Sequence, residues 1–157
     1  MSVSTLNDLL RIAIEHEISS QNFYRDALAT TRETKVREFL RKLIAEEEGH
    51  EKMLRGITEM EIYDGTVPVS EEALAHAKKS HDLEIPDLSG DPSLDEIYDI
   101  ALKRETKAYN IFMQMAMTTG NPELKTLFNN LAEEEQTHHK NIDKEYHINT
   151  GEMGYEG

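Results

Sequence analysis

Apolar residues recur at three- and four-residue steps along four long segments, which is the period of an amphipathic α-helix. The segments lie at about 6–28, 36–57, 94–118 and 123–146. Ser93 is a suitable N-cap for the third segment, and Pro122 suits the first turn of the fourth. The pattern predicts an all-α protein with four long helices.

The chain between the second and third segments loses this period and carries three of the four prolines. It predicts a long crossover with one short helix near Glu71 to Lys79. The expected organisation is one domain over residues 1–147, followed by a mobile tail at 148–157 that shows no period. The domain divides into hairpin one, the crossover and hairpin two, at about 4–58, 59–92 and 93–146.

Ionisable residues interrupt the apolar face of each long helix. They are Glu17, Glu47, His50, Glu105, Glu135 and His138. Two of the helices carry a Glu-x-x-His motif, whose two side chains share one helix face. Adding 88 to positions 17, 47 and 50 gives 105, 135 and 138, so the chain reads as two copies of one helical hairpin. Each Glu lies about 15 residues from the turn of its hairpin, which predicts that all four meet at one level of the bundle.

Four carboxylates at one level of a core would cost several kcal/mol each if they were unpaired, whereas two divalent ions would remove this cost. Carboxylates can bridge two ions while each imidazole binds one of them. Such an oxygen-rich set suits iron or manganese. The sequence therefore predicts a two-metal, carboxylate-bridged site liganded by the six residues.

The composition excludes several kinds of metal and redox site and disfavours two classes of binding partner. With no Cys, disulfides, thiolate zinc sites and iron–sulfur clusters are excluded. The formal charge of −14 disfavours nucleic acid and anionic membranes as partners. No apolar run approaches the length of a membrane span, and the first residues lack the features of a secretory signal, so a cytoplasmic location is expected.

These motifs resemble the ferritin-like di-iron carboxylate family over about residues 4–145, and most closely rubrerythrin-like proteins without the rubredoxin domain. Tyr24, seven residues after Glu17, is similar to the first-helix signature of rubrerythrins. The resemblance implies a ferritin-like four-helix bundle with two iron ions, for which manganese or zinc can substitute. It also implies a non-haem oxidoreductase active in oxidative stress, which reduces hydrogen peroxide or dioxygen and is re-reduced by an external donor protein. A homo-oligomer is expected, with a dimer favoured.

The chain departs from this family at two informative positions. Rubrerythrins carry a further third-helix carboxylate, linked to peroxide reactivity, where this chain has Ala108. The haem-binding Met of bacterioferritin directly follows the first motif Glu, and here that residue is Glu48. Haem is therefore not expected.

Several residues near the six have expected roles of their own. Glu46 and Glu134 precede the motif Glu of each half, and each is expected either to accept a proton from the imidazole of the opposite hairpin or to be an ordinary surface residue. Tyr24 is expected to pack in the core, with a hydrogen bond to a ligand carboxylate or a redox role as alternatives. Five further histidines are expected at the surface: His16, His76, His81, His139 and His147.

Two other functions stay open at this point. One is a ferroxidase that passes iron to a mineral store. The other is a non-catalytic bundle in which a metal such as zinc only stabilises the fold.

Overall fold

Five α-helices make up the regular structure of residues 3–81 and 92–150, the parts of the chain that the computed structural model describes. They are α1 (Leu6–Thr30), α2 (Thr34–Ile57), α3 (Glu71–His81), α4 (Leu94–Thr118) and α5 (Pro122–Thr150). None of them has a stretch both long and apolar enough to cross a membrane.

Most helix ends agree with the sequence prediction. Ser93 is the N-cap of α4, where its hydroxyl accepts a hydrogen bond from the Glu96 amide, and Pro122 begins α5. However, α5 continues to Thr150 and so includes the first residues of the predicted tail. The rest of that tail, 151–157, and the crossover segment 82–91 lie outside the described residues.

The four long helices form two hairpins that pack against each other through α1 and α4. Residues 6–13 of α1 share an apolar cluster with residues 108–116 of α4, so these two helices run antiparallel. The short helix α3 packs across both of them. This confirms the predicted four-helix bundle of two hairpins joined by a long crossover with one extra helix.

The apolar core is divided into two clusters along the bundle. The first cluster fills the end near the α4–α5 turn, and its largest members include Leu9, Leu54, Phe112, Phe128 and Leu131. The second fills the end near the α1–α2 turn, and its largest members include Tyr24, Phe39, Leu40, Leu43 and Ile97. Fully burying one such side chain is worth about 1.5–3 kcal/mol. The ionisable residues of the long helices lie between these clusters, at mid-height in the bundle.

The periodicity of α5 admits either Leu127 or Phe128 on its apolar face, and the structure buries Phe128 completely while Leu127 is half-buried. We expect Phe128→Ala to lower the free energy of unfolding by about 3–5 kcal/mol, because it opens a cavity in the first cluster. Leu127→Ala should lower the free energy of unfolding by about 1 kcal/mol, which is close to the average for point mutations. Urea unfolding in the presence of a chelator measures both, and equal losses would contradict the assignment of the buried face.

Candidate metal centre

The six residues predicted as ligands come together in one layer of the bundle. The four carboxylates come from four different helices, and Glu17, Glu47, Glu105 and Glu135 are each at most 2% exposed. His50 is also buried, whereas the side chain of His138 is 16% exposed. The predicted common level of the four glutamates is therefore present in the fold. Their role as metal ligands stays a prediction.

The two Glu-x-x-His motifs face each other between α2 and α5. His50 and His138 stack with ring centroids 4.9 Å apart. His50 Nδ1 lies 2.7 Å from Glu135 Oε1 and 3.8 Å from Glu17 Oε1, and His138 Nδ1 lies 3.9 Å from Glu105 Oε2. One nitrogen of each imidazole therefore points toward the carboxylates.

Three sets of side chains each place their donor atoms within 4.8 Å of one another. The sets are Glu17 with Glu47 and His50, His50 with Glu135 and His138, and Glu46 with Glu105 and His138. Because the sets share His50 and His138, they form one continuous group of donors. The group can hold two ions with carboxylates between them.

Most carboxylate oxygens in this layer have no hydrogen-bond partner in the described parts of the chain, although Glu135 Oε1 lies 2.7 Å from His50 Nδ1. Both oxygens of Glu17 and Glu105, the second oxygen of Glu135 and one oxygen of Glu47 are buried without a hydrogen bond among the described residues. A buried acceptor left in this state costs about 1–3 kcal/mol, and more when it is charged. Divalent cations would satisfy all of these oxygens at once. This set of donor atoms therefore fits the two-metal centre that the family resemblance implies.

Burial also controls the protonation of the layer in the absence of a cation. It raises the pKa of Glu17 and Glu135, and it raises the pKa of Glu47 well above 4.5 with help from the Glu17 carboxylate. Burial lowers the pKa of His50, but the carboxylates of Glu135 and Glu17 more than offset this and raise it to about 11. Burial lowers the pKa of His138 to about 4. A divalent ion would reverse the raised carboxylate values by stabilising the charged form.

Glu46 and Glu134 each approach the imidazole of the opposite hairpin. Glu134 Oε2 lies 3.7 Å from His50 Nε2, and Glu46 Oε2 lies 3.6 Å from His138 Nδ1. Both separations are longer than a hydrogen bond, so the proton-accepting role stays a prediction. Burial raises the pKa of Glu46 to about 7.

Tyr24 is completely buried in the second cluster, two helical turns from Glu17. Its hydroxyl has no hydrogen-bond partner among the described residues, so the bond to a ligand carboxylate is not formed here. Burial raises the pKa of this phenol well above 10. A redox role for Tyr24 remains a prediction.

The surface assignment of His16 is wrong. This residue is 3% exposed, because α3 packs over the contact between α1 and α4 and covers it. Its Nε2 lies 3.2 Å from the Arg104 carbonyl oxygen, and its ring meets His81 of α3 edge-on. Burial lowers the pKa of His16 to about 3, so the ring is neutral.

Arg104 is a buried cation that the sequence analysis missed. It is 6% exposed, donates to Ser20 Oγ at 2.9 Å and lies over the Phe23 ring. Adding 88 to 16 gives 104, so the repeat relates this residue to His16. His16 and Arg104 thus occupy equivalent positions, each directly before a predicted ligand.

A solvent cleft between α4 and α5 borders the layer. Its volume is about 370 Å³, and Glu105 and Glu135 contribute to its lining. The remaining lining residues are Thr106, Tyr109, Gln136, His139 and Lys140. A small molecule in this cleft would lie beside Glu105 and Glu135, whose carboxylate oxygens are themselves buried.

Replacing Glu47 by Gln in the metal-free protein is expected to raise the free energy of unfolding at alkaline pH and to change it little in acid. The folded-state pKa of Glu47 lies above the unfolded value of 4.5, so the stability contributed by its protonated form is complete below that pH and is lost as pH rises through the folded pKa. Glutamine is neutral throughout and removes this loss. Urea unfolding with a chelator, at a series of pH values, measures the difference.

The matched control for this variant is Glu48→Gln at the next position. Glu48 is exposed and paired with Arg25 at 2.6 Å, so its replacement should change stability by less than about 1 kcal/mol at any pH. The same pH profile for Glu47→Gln and the unmodified chain would contradict the raised pKa.

Two solved structures share this architecture. A protein from Thermotoga maritima described as a ferritin-like diiron-carboxylate protein superposes with a TM-score of 0.70 at 18% identity, covering 92% of this chain and 95% of its own. A hypothetical protein from Pyrococcus furiosus gives a TM-score of 0.61 at 24% identity, covering 91% and 89%. The likeness confirms the ferritin-like fold. No curated protein matches the chain at a significant level.

The Rubrerythrin family model matches residues 8–146. This range contains both Glu-x-x-His motifs, all six predicted ligands and the cleft that borders two of them. The chain belongs to the rubrerythrin family and has its ferritin-like di-iron domain.

Proposed function

We propose that this protein is a non-haem di-iron oxidoreductase that reduces hydrogen peroxide or dioxygen. The observation that carries the proposal is the layer of buried carboxylates, most of whose oxygens have no hydrogen-bond partner in the described parts of the chain, beside a solvent cleft that Glu105 and Glu135 line. A structural metal needs the buried oxygens but gains nothing from the cleft. A redox centre needs both.

The arrangement of donors suggests how the ions would be shared. Glu17 and His50 would hold one ion, and Glu105 and His138 would hold the other. The two motif carboxylates, Glu47 and Glu135, would complete the set of residues that hold the two ions. Iron bound there would supply the two electrons of the reaction, one from each ion.

The protein residues around the cleft would prepare the small oxidant for this reaction. Reduction of hydrogen peroxide to two waters consumes two electrons and two protons. Tyr109 and His139 on the cleft lining present a phenol and an imidazole, which can donate hydrogen bonds to a peroxide oxygen. The buried apolar clusters above and below the layer keep bulk water away from the site.

Electrons would come from another protein. The chain has no Cys with which to hold its own iron–sulfur or rubredoxin-type centre. Its charge of −14 favours a donor with a positive docking surface. We also propose that the chain acts as a homodimer.

Anaerobic loading with Fe(II) followed by hydrogen peroxide tests the proposed reaction. We expect one peroxide to oxidise two irons per chain, with new ferric absorption in the near-ultraviolet. The variant Glu105→Ala should lose much of this response, because it removes one predicted ligand. Metal binding with no optical response to hydrogen peroxide or to dioxygen would favour the alternative of a structural metal site.

The ferroxidase alternative shares the oxidation step and differs in assembly and in the fate of iron. It requires a hollow cage that accumulates ferric mineral beyond two irons per chain. Light scattering and the iron-to-protein ratio after repeated additions separate the two. A large assembly holding many irons per chain would replace our proposal with iron storage.

Blocking the cleft should slow oxidation without removing the metal. Thr106→Trp places a large ring at the cleft from an exposed position on α4. We expect the rate of Fe(II) oxidation by peroxide to fall at least about tenfold, which is ~1.4 kcal/mol of barrier, with unchanged metal stoichiometry.

The matched control is Asn22→Trp, another exposed helix position that lines a separate depression beside α1 and His81. It should leave the oxidation rate unchanged. Equal rates for both variants and the unmodified protein in stopped-flow measurements would show that the oxidant enters elsewhere.

A further inference from the structure

We propose that Glu46 is a seventh ligand of the metal centre and binds the ion held by Glu105 and His138. This rests on the two-metal site proposed above and adds to it a residue that the sequence assigns only to an outer role or to the surface. Four observations carry the proposal: the imidazole nitrogen that Glu46 approaches, the donor distances, an unpartnered oxygen, and the charge of the centre.

The imidazole nitrogen that Glu46 approaches distinguishes this residue from Glu134, the equivalent residue in the other half of the repeat. His138 Nδ1 is the nitrogen that faces Glu105, at 3.9 Å from its Oε2, and Glu46 Oε2 lies 3.6 Å from that same nitrogen. A carboxylate that only orients a metal-binding imidazole contacts the other ring nitrogen. Glu46 therefore lies on the metal side of His138.

Glu134 has the opposite arrangement. His50 Nδ1 faces the carboxylates of Glu17 and Glu135, whereas Glu134 Oε2 approaches His50 Nε2, on the far side of the ring. This is the position of a residue that accepts a proton from a ligand imidazole. The two glutamates thus have the same place in the repeat but different relations to the centre.

The distances around Glu46 suit a single ion. Two ligands with bonds of about 2.2 Å to one ion cannot be more than about 4.4 Å apart. The Glu46–His138 and Glu105–His138 separations of 3.6 and 3.9 Å both satisfy this limit. These three side chains form one of the three donor sets in the layer, and Glu134 belongs to none of them among the described residues.

Carboxylate oxygens without hydrogen bonds among the described residues approach His138 from two helices. Glu46 Oε2 on α2 is buried, and although the side chain as a whole is 32% exposed, this oxygen has no hydrogen bond to the residues that the structure describes. Glu105 on α4 is 2% exposed, and neither of its oxygens has a hydrogen-bond partner in residues 3–81 or 92–150. The side chain of Glu134 is 49% exposed, so water can solvate its carboxylate.

A fifth carboxylate would let protein groups alone balance the charge of the layer. Arg104 is buried, and no carboxylate lies within 4.0 Å of it in the described parts of the chain; its charge acts on Glu47 and Glu17 at longer range. With four carboxylates and two divalent ions, this guanidinium would leave one buried positive charge uncompensated. A fifth carboxylate from Glu46 brings the net charge to zero, which lowers the cost of burial.

The test compares Glu46→Gln with Glu134→Gln, a pair matched in residue type, chemical change and repeat position. Glutamine keeps an acceptor oxygen, so an outer hydrogen-bonding role would largely survive, whereas the carboxylate ligand is lost. The probe is Co(II), whose binding is followed by titration of its visible absorption. We expect two ions per chain in the unmodified protein, and a loss of affinity for one ion in Glu46→Gln that is at least about tenfold larger than in Glu134→Gln.

Crystals of the unmodified protein loaded with Co(II) give a readout that no folding defect can affect. We expect a Glu46 oxygen within about 2.3 Å of an ion. Two bound ions with Glu46 more than about 3 Å from both, or equal effects of the two Gln variants, would overturn the proposal while the metal centre stands. Failure of the unmodified protein to bind Co(II) would overturn the centre itself, and Glu46 with it.

Discussion

The rest of the structure depends on the burial of four carboxylates in one layer between two apolar clusters. The clusters supply the free energy that holds the helices together, and they also exclude the water that would otherwise solvate these oxygens. Without a cation the layer must retain protons, as the raised pKa values of Glu17, Glu47 and Glu135 show. The fold therefore stores an electrostatic cost at its centre that two divalent ions would remove.

The 88-residue repeat divides the six predicted ligands into two equivalent sets, but the residues around the two sets differ. Position 16 is a neutral histidine where position 104 is a cationic arginine, and Tyr24 corresponds to Phe112. A cleft opens beside α4 and α5, at Glu105 and Glu135, whereas α3 covers the α1–α4 contact. Two ions in this centre would therefore differ in charge environment and in access to solvent. Such a difference would let the proposed oxidant approach one ion before the other.

Periodicity and the repeat were enough to predict the helices, the buried layer and its six ionisable residues, because each of these depends on spacing within one helix or one hairpin. Features that depend on contacts between distant segments were not predictable in this way. His16 is buried by α3, whose docking position no period reveals. A hydrogen bond from Tyr98 to Asp143 joins α4 to α5 near the end of the apolar pattern, and α5 continues from there to Thr150. The cleft depends on the distance between two helices, which the sequence does not encode locally.

The replacement of a carboxylate by Ala108 has a structural consequence for the reaction. Ala108 is 2% exposed in the first apolar cluster, one turn beyond Glu105, so that end of the layer is closed by a methyl group and the neighbouring apolar side chains. Glu46 precedes Glu47 on α2 and approaches the layer from the opposite end, where α2 contributes to the second cluster. A fifth carboxylate from Glu46 would match the charge of one at position 108 but would approach the ions from the other side. Reactivity toward peroxide then depends on which ion this carboxylate binds, and family membership alone does not determine that.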